Sequence, residues 1–263
     1  MTAYRSTPTP TLCWNSARPP SLSIGSGTNS LATTGLPNWA GYVASSTFHD
    51  GYTEAAGRWA QPARGTTTCT GARESAWAGI GGFRARDDRS AGLIQAGTAY
   101  GTTGTPYAWW EYLGLDQSGT KTGVAEQRFA QLTIRPGDTV EAFVYYDIPN
   151  RAATFYVENV TLGEAQAAYQ NISTLYWDGR DADWIVERPS TINGTLVPLQ
   201  NFTQIHFYDA QVLAQASGWH YLAATPAQTI VNMTASSQRF LAITGSIGGA
   251  DGDAFNSYFQ SCS

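Results

Sequence analysis

From residue 37 onward the chain is a succession of short runs rich in Val, Ile, Tyr, Trp and Thr, each soon broken by Gly, Pro, Asn or Asp. Such runs make strands, because branched and aromatic side chains suit a pleated surface and the breakers suit turns. No stretch has the apolar spacing of a long amphipathic helix. Strands are expected near 39–45, 55–61, 75–81, 91–99, 106–113, 129–134, 138–147, 152–160, 182–187, 203–208, 228–234 and 239–244, with Pro136-Gly137-Asp138 as a turn. Residues 163–170 (Gly163 to Gln170) are expected to make a helical turn. So many strands in one chain imply an all-β fold of two packed sheets. No internal repeat is present.

Residues 1–36 differ from the rest. They are rich in Thr, Ser, Pro and Gly, with Pro8, Pro10, Pro19 and Pro20 ahead of the small polar run Ser26–Ser30. That composition suits a flexible leader or propeptide remnant. It leaves 37–263 as one domain, a length that all-β domains reach.

Composition excludes several functions. The net charge is −5 and the pI about 5.1, with one lysine, Lys121, so no basic stripe offers itself to nucleic acid. No apolar run is long enough to span a membrane as a helix. A monomer acting alone is expected. Cys13, Cys69 and Cys262 are an odd number, so at most one internal bridge forms, and its pairing stays open. Five sequons begin at Asn159, Asn171, Asn193, Asn201 and Asn232.

The usual catalytic patterns are missing. His49, His206 and His220 lie near no nucleophile elbow and have no metal-ligand spacing, so neither a metal nor a cofactor is expected. What stands out is a polar residue inside an apolar strand, twice. In Asp183-Trp184-Ile185-Val186-Glu187, alternation puts Glu187 on the face of Ile185. In Leu93-Ile94-Gln95-Ala96-Gly97, Gln95 shares a face with Leu93 and Gly97. A carboxyl among apolar neighbours has its pKa raised and suits acid–base work. The same pattern also fits a strand-end Glu187 in water beside Arg188. Glu111 shares a face with Tyr107 and Trp109, either as a substrate subsite or as the rim of an aromatic core strand.

Seven segments, in order, resemble the glutamic peptidase (eqolisin) family of acid endopeptidases. They are Asn38-Trp39-Ala40-Gly41-Tyr42, Trp77-Ala78-Gly79-Ile80-Gly81-Gly82, Ile94-Gln95-Ala96-Gly97, Ala108-Trp109-Trp110-Glu111-Tyr112, Pro136-Gly137-Asp138-Thr139, Trp184-Ile185-Val186-Glu187, and Val197-Pro198-Leu199 leading to Asn201-Phe202. Together they cover roughly residues 37–245. The resemblance implies a sandwich of two antiparallel, curved sheets of the concanavalin/glucanase kind, with a groove on the concave face. It implies a catalytic dyad of Gln95 and Glu187 that holds the attacking water, with Trp77, Glu111 and Trp39 close by as substrate-binding residues. It further implies protein or peptide substrates, secretion from the cell with the signal peptide absent from this chain, and insensitivity to pepstatin.

Two positions depart from the family pattern. Gly81 and Tyr107 stand where many members carry Asp. Cys69 falls where some relatives have a paired Cys, yet the partner expected near Tyr100 is missing. In the implied mechanism an ionised Glu187 takes a proton from water and returns it to the leaving nitrogen. Gln95 orients the water and stabilises the oxyanion. Two other functions compete: a glycoside hydrolase using Glu111 and Glu187 as its carboxyl pair in a Trp-lined cleft, and a non-catalytic carbohydrate-binding module.

Overall fold

The computed structural model describes residues 31–263 except 47–50, 67–68, 84–91, 102–103, 117–119, 174–178, 192 and 237–238. Its first strands are β1 (Leu31–Leu36), β2 (Trp39–Ser45), β3 (Tyr52–Ala60), β4 (Glu74–Gly81), β5 (Leu93–Tyr100), β6 (Pro106–Leu115) and β7 (Lys121–Arg128). Then come β8 (Thr139–Asp147), β9 (Ala152–Asn159), β10 (Glu164–Asn171), β11 (Asp181–Glu187) and β12 (Gln204–Ala214). The last are β13 (Gly218–Tyr221), β14 (Ala227–Ser236), β15 (Arg239–Thr244) and β16 (Phe255–Phe259), with one short 3-10 turn at Leu222–Ala224.

The strands form one hydrogen-bonded path, β10-β9-β8-β3-β12-β16-β15-β14-β2-β11-β4-β5-β6-β7, and β1 and β13 pair with β14 and β12. Every pairing is antiparallel except β1 with β14. The path folds over on itself, so that β3, β8 and β9 stack on β4, β5 and β6. The result is the expected antiparallel β-sandwich, with its two layers joined through β16, β15 and β14.

Alternation decides what lies between the layers. Ala40, Tyr42 and Ala44 of β2, Ala76, Ala78 and Ile80 of β4, and Ala182, Trp184 and Val186 of β11 all enter the main core. Opposite them stand Trp59, Val140, Phe155 and Phe207. A buried indole N–H needs a partner, and both central tryptophans find one across the layers. Trp184 donates to the Ala56 carbonyl at 2.7 Å and Trp59 to Thr98 Oγ1 at 3.0 Å. Gly57 makes room for the first, since a Cβ there would lie 2.7 Å from the Trp184 ring.

Several boundaries differ from the sequence reading. Residues 31–36, expected in the leader, form β1; residues 1–30 lie outside the described residues. Residues 164–171 are a strand, not a helical turn, because β10 pairs along its whole length with β9. Its Ala, Glu and Gln content favours helix locally, and tertiary pairing overrides that preference. Residues 129–134 are not a strand. Phe129, Leu132 and Ile134 plug the core from an irregular segment. Cys69 bonds to Cys262, 193 residues away. Closing so long a loop contributes about 5 kcal/mol in the chain-entropy account. Cys13 is outside the described residues. Two sequons are blocked by burial, Asn159 (0 % exposed) and Asn201 (8 %).

Candidate active site

The odd-numbered residues of β2, β4, β5, β6 and β11 face away from the main core and build a second surface. In strand order β2-β11-β4-β5-β6 they form three cross-strand rows. The first is Trp39, Glu187, Ser75, Ala99 and Tyr107; the second is Gly41, Ile185, Trp77, Gly97 and Trp109. The third is Val43, Asp183, Gly79, Gln95 and Glu111. Every site residue expected from the sequence therefore lies on one face.

Glu187 ends β11 and stays partly accessible. Its Oε2 accepts from Trp77 Nε1 at 2.9 Å and its Oε1 from Asn38 Nδ2 at 3.1 Å. The Trp39 indole meets Trp77 edge-on, with centroids 5.0 Å apart. Burial pushes the Glu187 carboxyl up to about 7. The N–H groups of Trp77, Asn38 and Trp39 pull it down, and the nearby Glu111 charge raises it further. These donors are neutral, so they hold the carboxyl in place without fixing a charge beside it. An ordinary surface carboxylate beside Arg188 is thus ruled out: Arg188 turns its guanidinium Nε to the Pro37 carbonyl instead, at 2.7 Å.

Gln95 is 3 % exposed. Its Nε2 donates to Glu111 Oε2 at 2.7 Å, directly across the β5–β6 pair. Among the described residues its Oε1 has no partner. Gln95 and Glu187 make no direct hydrogen bond; they sit diagonally across β4, with Trp77 between them. Gly79 is fitted to this spot, because a Cβ there would come within 2.9 Å of the Trp77 ring and 3.2 Å of Gln95 Cβ. Glu111 also accepts from the Glu126 backbone N–H at 3.2 Å. Its pKa is raised, chiefly by burial, against those two hydrogen bonds and with the help of the Glu126 charge.

The departure at Gly81 has a backbone cause. Gly81 has φ +90°, and a Cβ there would sit 1.9 Å from the Gly92 carbonyl oxygen. A side chain is thereby excluded at this strand end.

Three residues of the face escaped the sequence reading as site members. Asn38 opens the Asn-Trp segment, just before β2, where only a donor aimed at a distant strand would give it away. Glu126 lies on the polar edge strand β7. Asp183 is fully buried, with neither oxygen partnered among the described residues, and burial and then Asp181 raise its pKa well above the usual range. Its place two residues before Ile185 on the alternating face was the available signal. Among the described residues no His/Cys/Asp/Glu group has a metal-holding arrangement, and no helix is long and apolar enough to cross a membrane.

An antiparallel sandwich with an amide and a buried carboxyl on one face defines a class that comparison makes specific. The family model of the peptidase A4 family matches residues 37–252. The chain belongs to that family, the eqolisins, and is a glutamic endopeptidase. Among solved structures it is similar to scytalido-glutamic peptidase bound to a transition state analog inhibitor, at 19% identity and TM-score 0.67, covering 85% of this chain and 98% of that one. It is also similar to SCP-B, an eqolisin in complex with the tripeptide Ala-Ile-His, at 18% identity and TM-score 0.63 over the same shares. Aspergilloglutamic peptidase from Aspergillus niger matches at 19% identity and TM-score 0.55, over 72% and 99%. These likenesses establish the shared fold. Among curated protein sequences no relative matches. With the family shown, the glycosidase and lectin alternatives fall away. Glu111 instead holds the Gln95 amide and the Glu126 N–H.

Proposed function

We propose that the protein is a secreted acid endopeptidase that hydrolyses peptide bonds with Gln95 and Glu187 and is insensitive to pepstatin. One observation carries the reading: a carboxyl raised to about 7 and gripped by Trp77 and Asn38 shares a face with an amide whose carbonyl oxygen is unpartnered. That oxygen is an acceptor suited to orienting a water.

The pKa changes the expected order of events. In acid Glu187 starts protonated, not ionised. It gives its proton to the scissile carbonyl oxygen as the water held by Gln95 adds to the carbon. The added water then sheds a proton, and the Glu187 carboxylate takes it. In collapse of the tetrahedral diol the same carboxyl protonates the leaving nitrogen and recovers a proton from a diol hydroxyl. Charge and protons balance at each stage, and Glu187 ends as it began. The second Nε2 hydrogen of Gln95 is available to the same carbonyl oxygen, supporting the charge that builds on it as the Glu187 proton arrives. Trp39 and Trp77 wall one side of the carboxyl, and peptides are the substrate class.

The test is digestion of an unfolded protein by wild type and Glu187→Gln across pH 3–8, with pepstatin present. The amide is close in shape but cannot cycle a proton. Activity that is strongest in acid, resists pepstatin and is lost in the folded variant is expected. Near-normal turnover by Glu187→Gln removes Glu187 from the reaction.

A further inference from the structure

Tyr107, the second departure from the family pattern, heads a chain of contacts that runs into the site. Its hydroxyl donates to Glu126 Oε1 at 2.9 Å. The Arg128 guanidinium lies 3.6 Å above its ring, and Arg128 Nε is 4.0 Å from the same Glu126 oxygen. Glu126 and Arg128 belong to β7, the edge strand beside β6.

Where β7 passes Glu111 the register slips. Trp110 pairs with Gln127 and Tyr112 with Val124, so Ala125 and Glu126 together face the single residue Glu111. Such a bulge releases backbone groups from the ladder and re-aims them. Here the freed Glu126 N–H points at Glu111 Oε1, at 3.2 Å, while Glu111 Oε2 takes Gln95 Nε2 at 2.7 Å.

A glutamine amide has two near-identical ends, a donor and an acceptor. An unheld amide turns over and exchanges them. The reaction above needs Oε1 toward the water, and the Glu111 contact sets that choice, because among the described residues Gln95 makes no other side-chain hydrogen bond.

We propose that Glu126 is a positioning residue for the Gln95 amide: anchored by Tyr107 and Arg128, it fixes the bulge that holds Glu111, and Glu111 decides which way the amide points. This rests on the reading of Gln95 as half of the dyad. The side chains of Glu126 and Arg128 are 41% and 58% exposed, and an exposed pair of this kind adds little stability. Replacements there leave the sandwich intact.

Charge gives a second handle. The titratable and charged groups on the Glu111 side of the face are Tyr107 on β6, Glu126 and Arg128 on β7, and Asp183 and Glu187 on β11. Among the described residues, β4 and β5 present none there between rows one and three. The Glu126 charge raises Glu111, and the Glu111 charge raises Glu187. Removing the Glu126 charge lowers Glu111, which then stays ionised over more of the acid range and keeps its upward push on Glu187.

The experiment compares wild type with Glu126→Ala, Glu126→Gln and Tyr107→Phe. It reads kcat and KM on one peptide across pH, together with the side-chain amide resonances of Gln95 in the free enzyme. Glu126→Ala should lose about tenfold in kcat, the scale of one lost anchoring hydrogen bond, with KM little changed. Glu126→Gln keeps the acceptor for Tyr107, so it should recover most of that loss. The Gln95 amide resonances should move in Glu126→Ala and Tyr107→Phe. In Glu126→Gln they should stay close to wild type. Wild-type kcat and unmoved resonances in Glu126→Ala overturn the proposal, as does a loss that Gln does not restore. If wild type cleaves no peptide but the resonances move as stated, the peptidase reading fails and the positioning role stands.

Discussion

The two outward faces of the sandwich treat their acids differently. On the face of β3, β8 and β12, Arg58 bridges Glu141 (Nε to Oε2, 2.6 Å) and Asp209 (Nη1 to Oδ2, 2.9 Å). On the face of β4, β5 and β11, among the described residues, Glu187 and Gln95 meet neutral N–H donors and another carboxyl. Yet a raised pKa occurs on both: Glu54, on the Arg58 face, is pushed up to about 7 by burial and by Glu141. Elevation alone therefore does not mark a catalytic acid. What separates Glu187 is a grip by uncharged donors and, on the same face, an amide with a free acceptor. An arginine beside Glu187 would hold it ionised and deprive it of the proton it has to donate.

The largest effects should break that symmetry outright. Glu187→Gln should cost on the order of 10²–10⁴ in kcat, the usual scale for a general acid–base group. Glu54→Gln, at a similar pKa, should leave kcat unchanged. Equal losses in the two would show that elevation, not setting, is what matters. Next comes Gln95→Ala, at on the order of 10²–10³ in kcat with KM changed less, as for loss of an oxyanion donor. A folded Gln95→Ala enzyme keeping more than about a tenth of wild-type kcat contradicts the dyad.

Smaller effects sharpen the contrast through pH. Trp77→Phe removes a donor that favours the ionised form of Glu187, so its pKa should rise and the alkaline limb of kcat/KM should move to higher pH. A limb that stays put or moves down refutes that role for Trp77. Stability carries the same sign. Glu54 and Glu187, near 7, and Glu74, near 8, hold their protons more tightly folded than unfolded. Their stabilisation is fully present below about pH 4, where the unfolded chain is protonated too, and is lost as pH rises through 7–8. Denaturant midpoints from pH 3 to 8 should fall accordingly. Glu54→Gln should remove on the order of 3 kcal/mol of that fall. Midpoints that rise toward neutral pH contradict these shifts.

Strand alternation was enough to place Gln95 with Leu93 and Gly97, and Glu187 with Ile185, on one face of apolar strands. Family resemblance brought Trp39, Trp77 and Glu111 to them, and all five share one face. The sequence was silent where local composition conflicts with pairing. Residues 121–128 are polar because β7 is an edge, and 163–170 read as a helical turn although pairing with β9 makes 164–171 a strand. Residues 31–36 read as leader because their Thr and Gly face solvent beside β14. Asn38 and Glu126 were missed for another reason. Their roles lie in contacts with residues 149 and 15 positions away, set by a strand order and a bulge that periodicity does not encode.

The central claim is that Glu187 works from its protonated form, and its carboxyl can be watched directly. Carbon NMR of the Glu187 side chain, titrated in the free wild-type enzyme, should give a midpoint near pH 7 that coincides with the alkaline limb of kcat/KM. A midpoint near the ordinary value of about 4.5, with full activity persisting above it, would make Glu187 an ionised base and contradict the account.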